Sequence, residues 1–255
     1  MHMEDEEVRL QRSYYAATAQ QYEARHVHAR DEHYLALSWL AAMIELYEIR
    51  SVLDVGSGTG RALRYLKQRF PDLRVIGVEP SVELREVGYG LGLTPKDLLE
   101  GDANRLPFAA GAFDLVCEFG ILHHIRTPSR AVAEMLRVAD KVVFISDDNH
   151  LAAGFWGMRV TKLVLRALGL WGFAYWIKTR GKGYRVTADD GLAYPYSVFD
   201  DIDSIRAQCS SIHMLNTSGS GPNLLTSAGH VALMGLKTFN EAPRIIRGSV
   251  EPSVY

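Results

Sequence analysis

Ten consecutive residues constrain this chain more than any other stretch: VLDVGSGTGR, residues 52–61, where an apolar run enters three alternate glycines and leaves into ALRYLKQRF. The first part reads as a strand and the last as a helix, so the glycines mark a tight strand-to-helix turn. With no Cβ at Gly56, Gly58 and Gly60, backbone N–H groups can approach a bound ligand closely. Twenty-one residues after Gly58, at the end of the next apolar run, Glu79 stands where a carboxylate can accept hydrogen bonds from both hydroxyls of a ribose. The pair fits a nucleoside-containing cofactor. The spacing is GxGxG rather than the GxGxxG of a pyrophosphate site, and Asp54 places a negative charge beside the loop. That charge repels pyrophosphate and favours an ammonium or sulfonium, which argues against a dinucleotide.

Around this loop the pattern alternates. Residues 51–55 (SVLDV), 73–78 (LRVIGV), 113–117 (FDLVC) and 141–146 (KVVFIS) are short β-branched runs separated by helical patterning, which implies a parallel sheet covered on both faces. Before them, Leu35, Trp39, Met43 and Leu46 recur at helical spacing and are expected on one buried face of a helix over residues 31–47. After Ile125, Thr127 is placed to cap a helix that opens on Pro128 and continues as SRAVAEMLRV. Residues 151–197 break the alternation and read as an insertion. A helix over 198–210, a strand at 212–216, a Gly/Ser/Pro-rich loop over 217–229 and a strand at 230–236 follow, and residues 239–255 read as a flexible tail.

Of the 255 residues, 28 are Lys or Arg and 30 Asp or Glu, so no global field gathers nucleic acid or anionic lipid. Any basic patch is local. Cys117 and Cys209 have neither CxxC nor zinc-ligand spacing and are expected as reduced thiols. The N-terminal 30 residues carry charges throughout, and no run approaches 18 apolar residues, so the expected compartment is the cytoplasm.

The glycine loop is followed in order by VIGVEPS (75–81), GDANRLPF (101–108) and FDLVCEFGILHHI (113–125). With these four motifs the chain resembles the class I S-adenosylmethionine (SAM)-dependent methyltransferases, in particular the small-molecule group, over most of residues 13–148 and 198–237. The resemblance implies an α/β fold with a Rossmann-like, doubly wound, mostly parallel seven-stranded sheet and an antiparallel last strand. The core would be residues 51–150 and 198–238, with a helical cap over 1–50. It implies SAM as cofactor, with S-adenosylhomocysteine (SAH) as product. Asp54, Gly56, Ser57, Gly58 and Gly60 would hold the methionine portion; Glu79, with Pro80 and Ser81, the ribose; Asp102 and Ala103 the adenine edge. Glu118 and Phe119 would line the methionine side beside the sulfonium. Tyr14 and Tyr22, in YYAATAQQYEARH (14–26), would close over the cofactor, with plain helix packing as the alternative.

Methyl transfer from a sulfonium needs mainly positioning, whereas a hydroxyl acceptor needs a base. His123 and His124 follow the fourth strand at the edge where such sheets bind ligands, and Asp147 and Asp148 end the fifth, so one carboxylate can orient one imidazole. This favours O-methylation of a small molecule, a saccharide or secondary metabolite. N- or C-methylation is the alternative. A divalent ion bound by the same groups and His150 is not favoured, because adjacent strand residues point to opposite sides.

Ten of the 25 aromatics fall within residues 155–199, which reads as a substrate lid over 151–197 with Trp171, Tyr175, Tyr194 and Tyr196 facing the acceptor. A packing helix over 156–170, or contact with a membrane surface through Arg159, Lys162, Arg166, Lys178, Arg180, Lys182 and Arg185, are the alternatives. Nucleic acid is not favoured as a partner, since EFGI stands where a base-methylating Asn/Asp-Pro-Pro-Tyr/Phe motif would. No Tyr has a Lys four residues on, as a short-chain reductase requires. A non-catalytic SAM-binding module ranks lower, and a monomer or homodimer is expected.

Overall fold

The structure is a computed structural model that describes residues 3–23, 31–187 and 191–237. Its strands are β1 (Ser51–Val55), β2 (Arg74–Val78), β3 (Leu98–Leu99), β4 (Phe113–Phe119), β5 (Ala139–Asp148), β6 (Arg185–Thr187), β7 (Gly191–Ala193), β8 (Ser211–Asn216) and β9 (His230–Leu236). Seven of them form one sheet in the order β3-β2-β1-β4-β5-β9-β8, and β6 with β7 makes a separate ribbon. β1 to β5 run parallel, and β9 runs antiparallel to both of its neighbours. The expected seven-stranded, doubly wound sheet with an antiparallel last strand is therefore the fold. Because the chain moves outward from β1 first through β2 and then through β4, the carboxyl ends of β1 and β4 diverge and open a crevice.

The helices are α1 (Met3–Thr18), α2 (Glu32–Leu46), α3 (Arg61–Arg69), α4 (Val82–Gly90), α5 (Pro128–Val138), α6 (Trp156–Ala167), α7 (Trp171–Lys178) and α8 (Ile202–Arg206). Strand alternation divides the core. Leu53 and Val55 face a cluster with Val132, Met135 and Leu136 of α5, while Val52 faces the opposite cluster with Leu40 and Ile44 of α2 and Leu63 and Leu66 of α3. Among the described residues no helix is long and apolar enough to cross a membrane. The expected tail, 239–255, lies outside the described residues.

Three local expectations are corrected. α2 buries Ala36, Leu37, Leu40, Ala41 and Ile44, while Leu35 and Leu46 are exposed and Trp39 and Met43 only partly covered. This helix is apolar on more than one side, and the stripe it buries is the one that carries the two alanines. Thr127 makes no side-chain cap bond, so the start of α5 rests on Pro128. The helix expected over 198–210 shrinks to α8, because Asp200 accepts the Ser197 N–H at 2.9 Å and its own N–H bonds the Ser197 carbonyl at 2.8 Å. This local turn competes with helix.

Candidate active site

At the end of β1 the chain turns under the tip of β2, where the Gly56 and Ser57 N–H groups donate to the Val78 carbonyl at 2.8 and 3.0 Å. Gly56 and Gly60 hold left-handed backbones, with φ +70° and +81°. Their roles differ. A Cβ on Gly60 would stand 2.1 Å from a Leu93 methyl, so this glycine leaves room for Leu93 against the start of α3; Gly58 instead presents its N–H to Glu79 Oε2 at 3.0 Å. Glu79 Oε1 accepts the Ser81 N–H at 2.8 Å, and Ser81 caps α4. Asp54 and Glu79 are both buried. Burial pushes each carboxyl up to about 7, against hydrogen bonds from Ser57 and Cys117 at Asp54 and from Ser81 and Gly58 at Glu79.

Two adjoining cavities, about 710 and 560 Å³, open over this turn and share Tyr15, Gly56, Glu79, Ile121 and His124. Tyr14, Tyr22, Asp54, Ser57, Gly58 and Phe119 line the larger; Pro80, Ser81, Asp102 and Ala103 line the smaller. The structure thus gathers the sequence-derived cofactor residues along one continuous wall, with two exceptions. Gly60 lies behind the loop in the packing just described. Glu118 is wholly buried and accepts N–H bonds from Ser146 at 2.9 Å and Ile121 at 3.0 Å. Burial, reinforced by Asp147, raises its carboxyl well above the ordinary range. It shapes the turn behind the wall rather than facing the cavity.

That turn is a 3-10 helix, Leu122–His124. His123 Nδ1 lies 2.6 Å from Asp147 Oδ1, and Asp147 Oδ2 accepts the Leu122 N–H at 2.8 Å. Burial alone would raise the Asp147 carboxyl, yet the His123 imidazole and its hydrogen bond hold it below the carboxylate range. His123 and His124 both line the larger cavity, their ring centroids 4.0 Å apart, but His124 Nδ1 donates to the Leu192 carbonyl at 2.6 Å. Strand alternation turns Asp147 inward and leaves Asp148 on the cavity wall.

Two further imidazoles complete this end of the cavity, and sequence reasoning missed both. His33, in the first turn of α2, meets His230, the first residue of β9, edge to face at 5.0 Å, and both line the larger cavity. His230 Nδ1 lies 2.6 Å from the Thr217 hydroxyl, while His33 Nδ1 and His230 Nε2 are buried with no partner among the described residues. Burial lowers His33 and brings His230 down to about 3, so these rings are neutral at physiological pH. No local sequence pattern marks them, because their meeting follows from the sheet register, which pairs His230 with Asp148.

The lid aromatics are largely corrected. Trp171 stacks on His150 at 4.9 Å, Tyr175 is buried, and Tyr196 is buried with its hydroxyl 3.4 Å from Asp201; none of the three reaches either cavity wall. Only Tyr194 does, lining the smaller cavity and donating its O–H to Glu7 at 2.5 Å. Glu7 also receives two hydrogen bonds from Arg126, at 2.8 and 2.7 Å, and so ties α1 over the site. Among the described residues no group of three or more His, Cys, Asp or Glu side chains is arranged to hold a metal ion.

A family profile described as "Methyltransferase domain" matches residues 53–143. Ajmaline N-methyltransferase of Rauvolfia serpentina is 34% identical over 95 residues, 35% of this chain and 32% of that protein. Demethylmenaquinone methyltransferase of Renibacterium salmoninarum is 35% identical over 123 residues, 46% of this chain and 49% of that protein. The chain thus spans between about a third and a half of the length of these curated relatives. In overall shape it is similar to magnesium protoporphyrin IX methyltransferase of Synechocystis with bound SAH, at TM-score 0.57 and 14% identity over 91% of this chain and 100% of that one, which is a likeness of fold. The strand order and the glycine turn at the end of β1 are those of the Rossmann-like fold that this neighbour shares. Residues 53–143 match a methyltransferase domain, and the cofactor that this match indicates is SAM.

Proposed function

We propose that this protein transfers a methyl group to a hydroxyl oxygen of a small molecule, with His123 as the base and Asp147 as the group that orients it. When bound, SAM supplies an electrophilic methyl on a positively charged sulfur. The residues present fit it. Asp54 offers buried negative charge to its cationic end, Glu79 two acceptor oxygens to its ribose, and Asp102 with Ala103 the edge of the smaller cavity to its adenine.

The observation that carries the proposal is the 2.6 Å bond between His123 Nδ1 and Asp147, on the wall of the cavity that also holds Asp54 and Glu79. With Nδ1 anchored, Nε2 is the nitrogen that takes the acceptor's proton, and Asp147 stabilises the imidazolium that forms. His124 spends its Nδ1 proton on a backbone carbonyl, whereas His123 Nδ1 meets the buried Asp147, which favours His123. Neutral His33 and His230 offer polar contacts to an uncharged acceptor. Cys117 and Cys209, both unpaired, suit the reducing cytosol in which we place the enzyme.

A second reading, methylation of an amine, is favoured by the acidic rim of the larger cavity at Asp31, Glu32 and Asp148. The two readings separate in one experiment. Methyl-labelled SAM is incubated with pooled saccharides, phenols and amines, and products are read by mass. Labelled alcohols or phenols are expected, with His123→Ala lowering turnover about 100-fold or more at little-changed donor affinity. Labelled amines alone, or an equal loss of donor binding in His123→Ala, overturn the assignment.

A further inference from the structure

Residues 150–187 contain seven Lys and Arg and not one Asp or Glu, in a chain whose totals nearly balance. The same stretch forms α6 and α7, and there the usual order of burial is inverted. The one buried residue of α6 is Lys162 and the one buried residue of α7 is Tyr175. The large apolar side chains lie outside: Phe155 is 71% exposed, Trp156 78%, Leu168 64% and Phe173 62%. Isolated exposed apolar residues are ordinary, but a cluster from one helix pair marks a contact surface.

The inversion is held in place by polar contacts on the inner side. Lys162 Nζ donates to the His150 and Ala153 carbonyls at 2.5 and 2.8 Å, and Arg166 pairs with Asp200. These bonds fix the face of α6 that meets the body and leave the apolar face outward. Lys178, the last residue of α7, and Arg180, Lys182 and Arg185 after it are exposed cations. Phe173 and Trp176 stack at 6.3 Å with rings 16° apart, a flat aromatic pair at the surface.

We propose that the face formed by α6, α7 and the turn after α7 is a peripheral binding site for an anionic lipid bilayer. Aromatic and aliphatic side chains enter the boundary between headgroups and acyl chains, and the cations meet acidic headgroups. Charge selects this occupant over a second copy of the chain, because a two-fold contact through this face would set its cations against their own kind. The inference does not rest on the methyl-transfer reading.

The test is sedimentation of the full chain with vesicles of phosphatidylcholine, with or without phosphatidylserine at about a third of the lipid. Binding to the anionic vesicles is expected to be about tenfold stronger or more, and to weaken as salt rises. Trp156→Ser with Phe173→Ser should lower it about tenfold on either vesicle. Lys178→Glu with Lys182→Glu should lower it on anionic vesicles alone. These side chains are exposed, so unchanged thermal midpoints and SAH binding verify that the variants fold. No binding to anionic vesicles, binding that these substitutions leave unchanged, or a dimer in light scattering that they dissolve would overturn the proposal.

Discussion

Lowering the pH from 8 to 6 is expected to weaken donor binding, by an amount that the two buried carboxyls set. Burial raises Asp54 and Glu79 to about 7 each, against about 4 for an exposed carboxyl. In the ligand-free protein each is therefore about nine-tenths ionised at pH 8 and about one-tenth at pH 6. In the proposed roles binding requires the ionised forms, Asp54 opposite a cation and Glu79 accepting from two hydroxyls. Protons held at pH 6 must leave, so affinity rises with pH and levels off above about 8. Each group contributes about a tenfold change, roughly 1.4 kcal/mol, and the two together about 100-fold. Titration of the protein with SAH across this range measures the slope, and repeating it in buffers of different ionisation enthalpy counts the protons released. Asp54→Asn removes one titration and should flatten the profile to about tenfold. An affinity that stays level between pH 6 and 8, or improves toward acid, would show that neither carboxyl must ionise for the donor to bind.

Other perturbations separate the remaining roles. Asp147→Asn should lower turnover about 100-fold or more while donor affinity stays within about twofold, because it removes the charge that stabilises the His123 imidazolium and leaves the cofactor wall intact; parallel loss of both would make Asp147 merely structural. Gly60→Ala forces a Cβ into Leu93 at a φ of +81° and should cost about 2–4 kcal/mol, read as a lowered thermal midpoint. A midpoint close to wild type would show the packing to be compliant. Arg126→Ala leaves buried Glu7 with Tyr194 but without its cation, at about 1–3 kcal/mol given the partial exposure of the guanidinium. Hydrogen exchange over residues 3–18 should quicken, and unchanged exchange would show that α1 is held by other contacts.

What could be read in the sequence was what local chemistry decides. The run from Val52 to Arg61 specifies strand, turn and helix in ten residues, and the β-branched runs that follow alternate with helices in a way few folds accommodate. Placing His123 and His124 near Asp147 and Asp148 also followed from two adjacent strand ends, although which of each meet did not. Sites assembled from distant parts of the chain were not legible in this way. His33 and His230 come from near the two ends of the described chain and meet because β9 returns antiparallel beside β5. Direction was harder still: Glu118 and Phe119 are neighbours, yet one is sealed in the core and the other faces the cavity. The aromatics of residues 155–199 show why composition misleads, since clustering reports neither whether a ring faces the site, as Tyr194 does, nor the surface, as Trp156 does.

The glycine turn and Glu79 are the proposed holders of the adenosyl donor, on which every other assignment depends. Calorimetric titration of wild-type protein with SAH at pH 8, set beside Glu79→Ala at an equal thermal midpoint, tests this directly. One molecule bound per chain, with affinity at least about tenfold weaker in the variant, is the predicted outcome. Absence of heat in the wild type, or equal binding in both proteins, would contradict it.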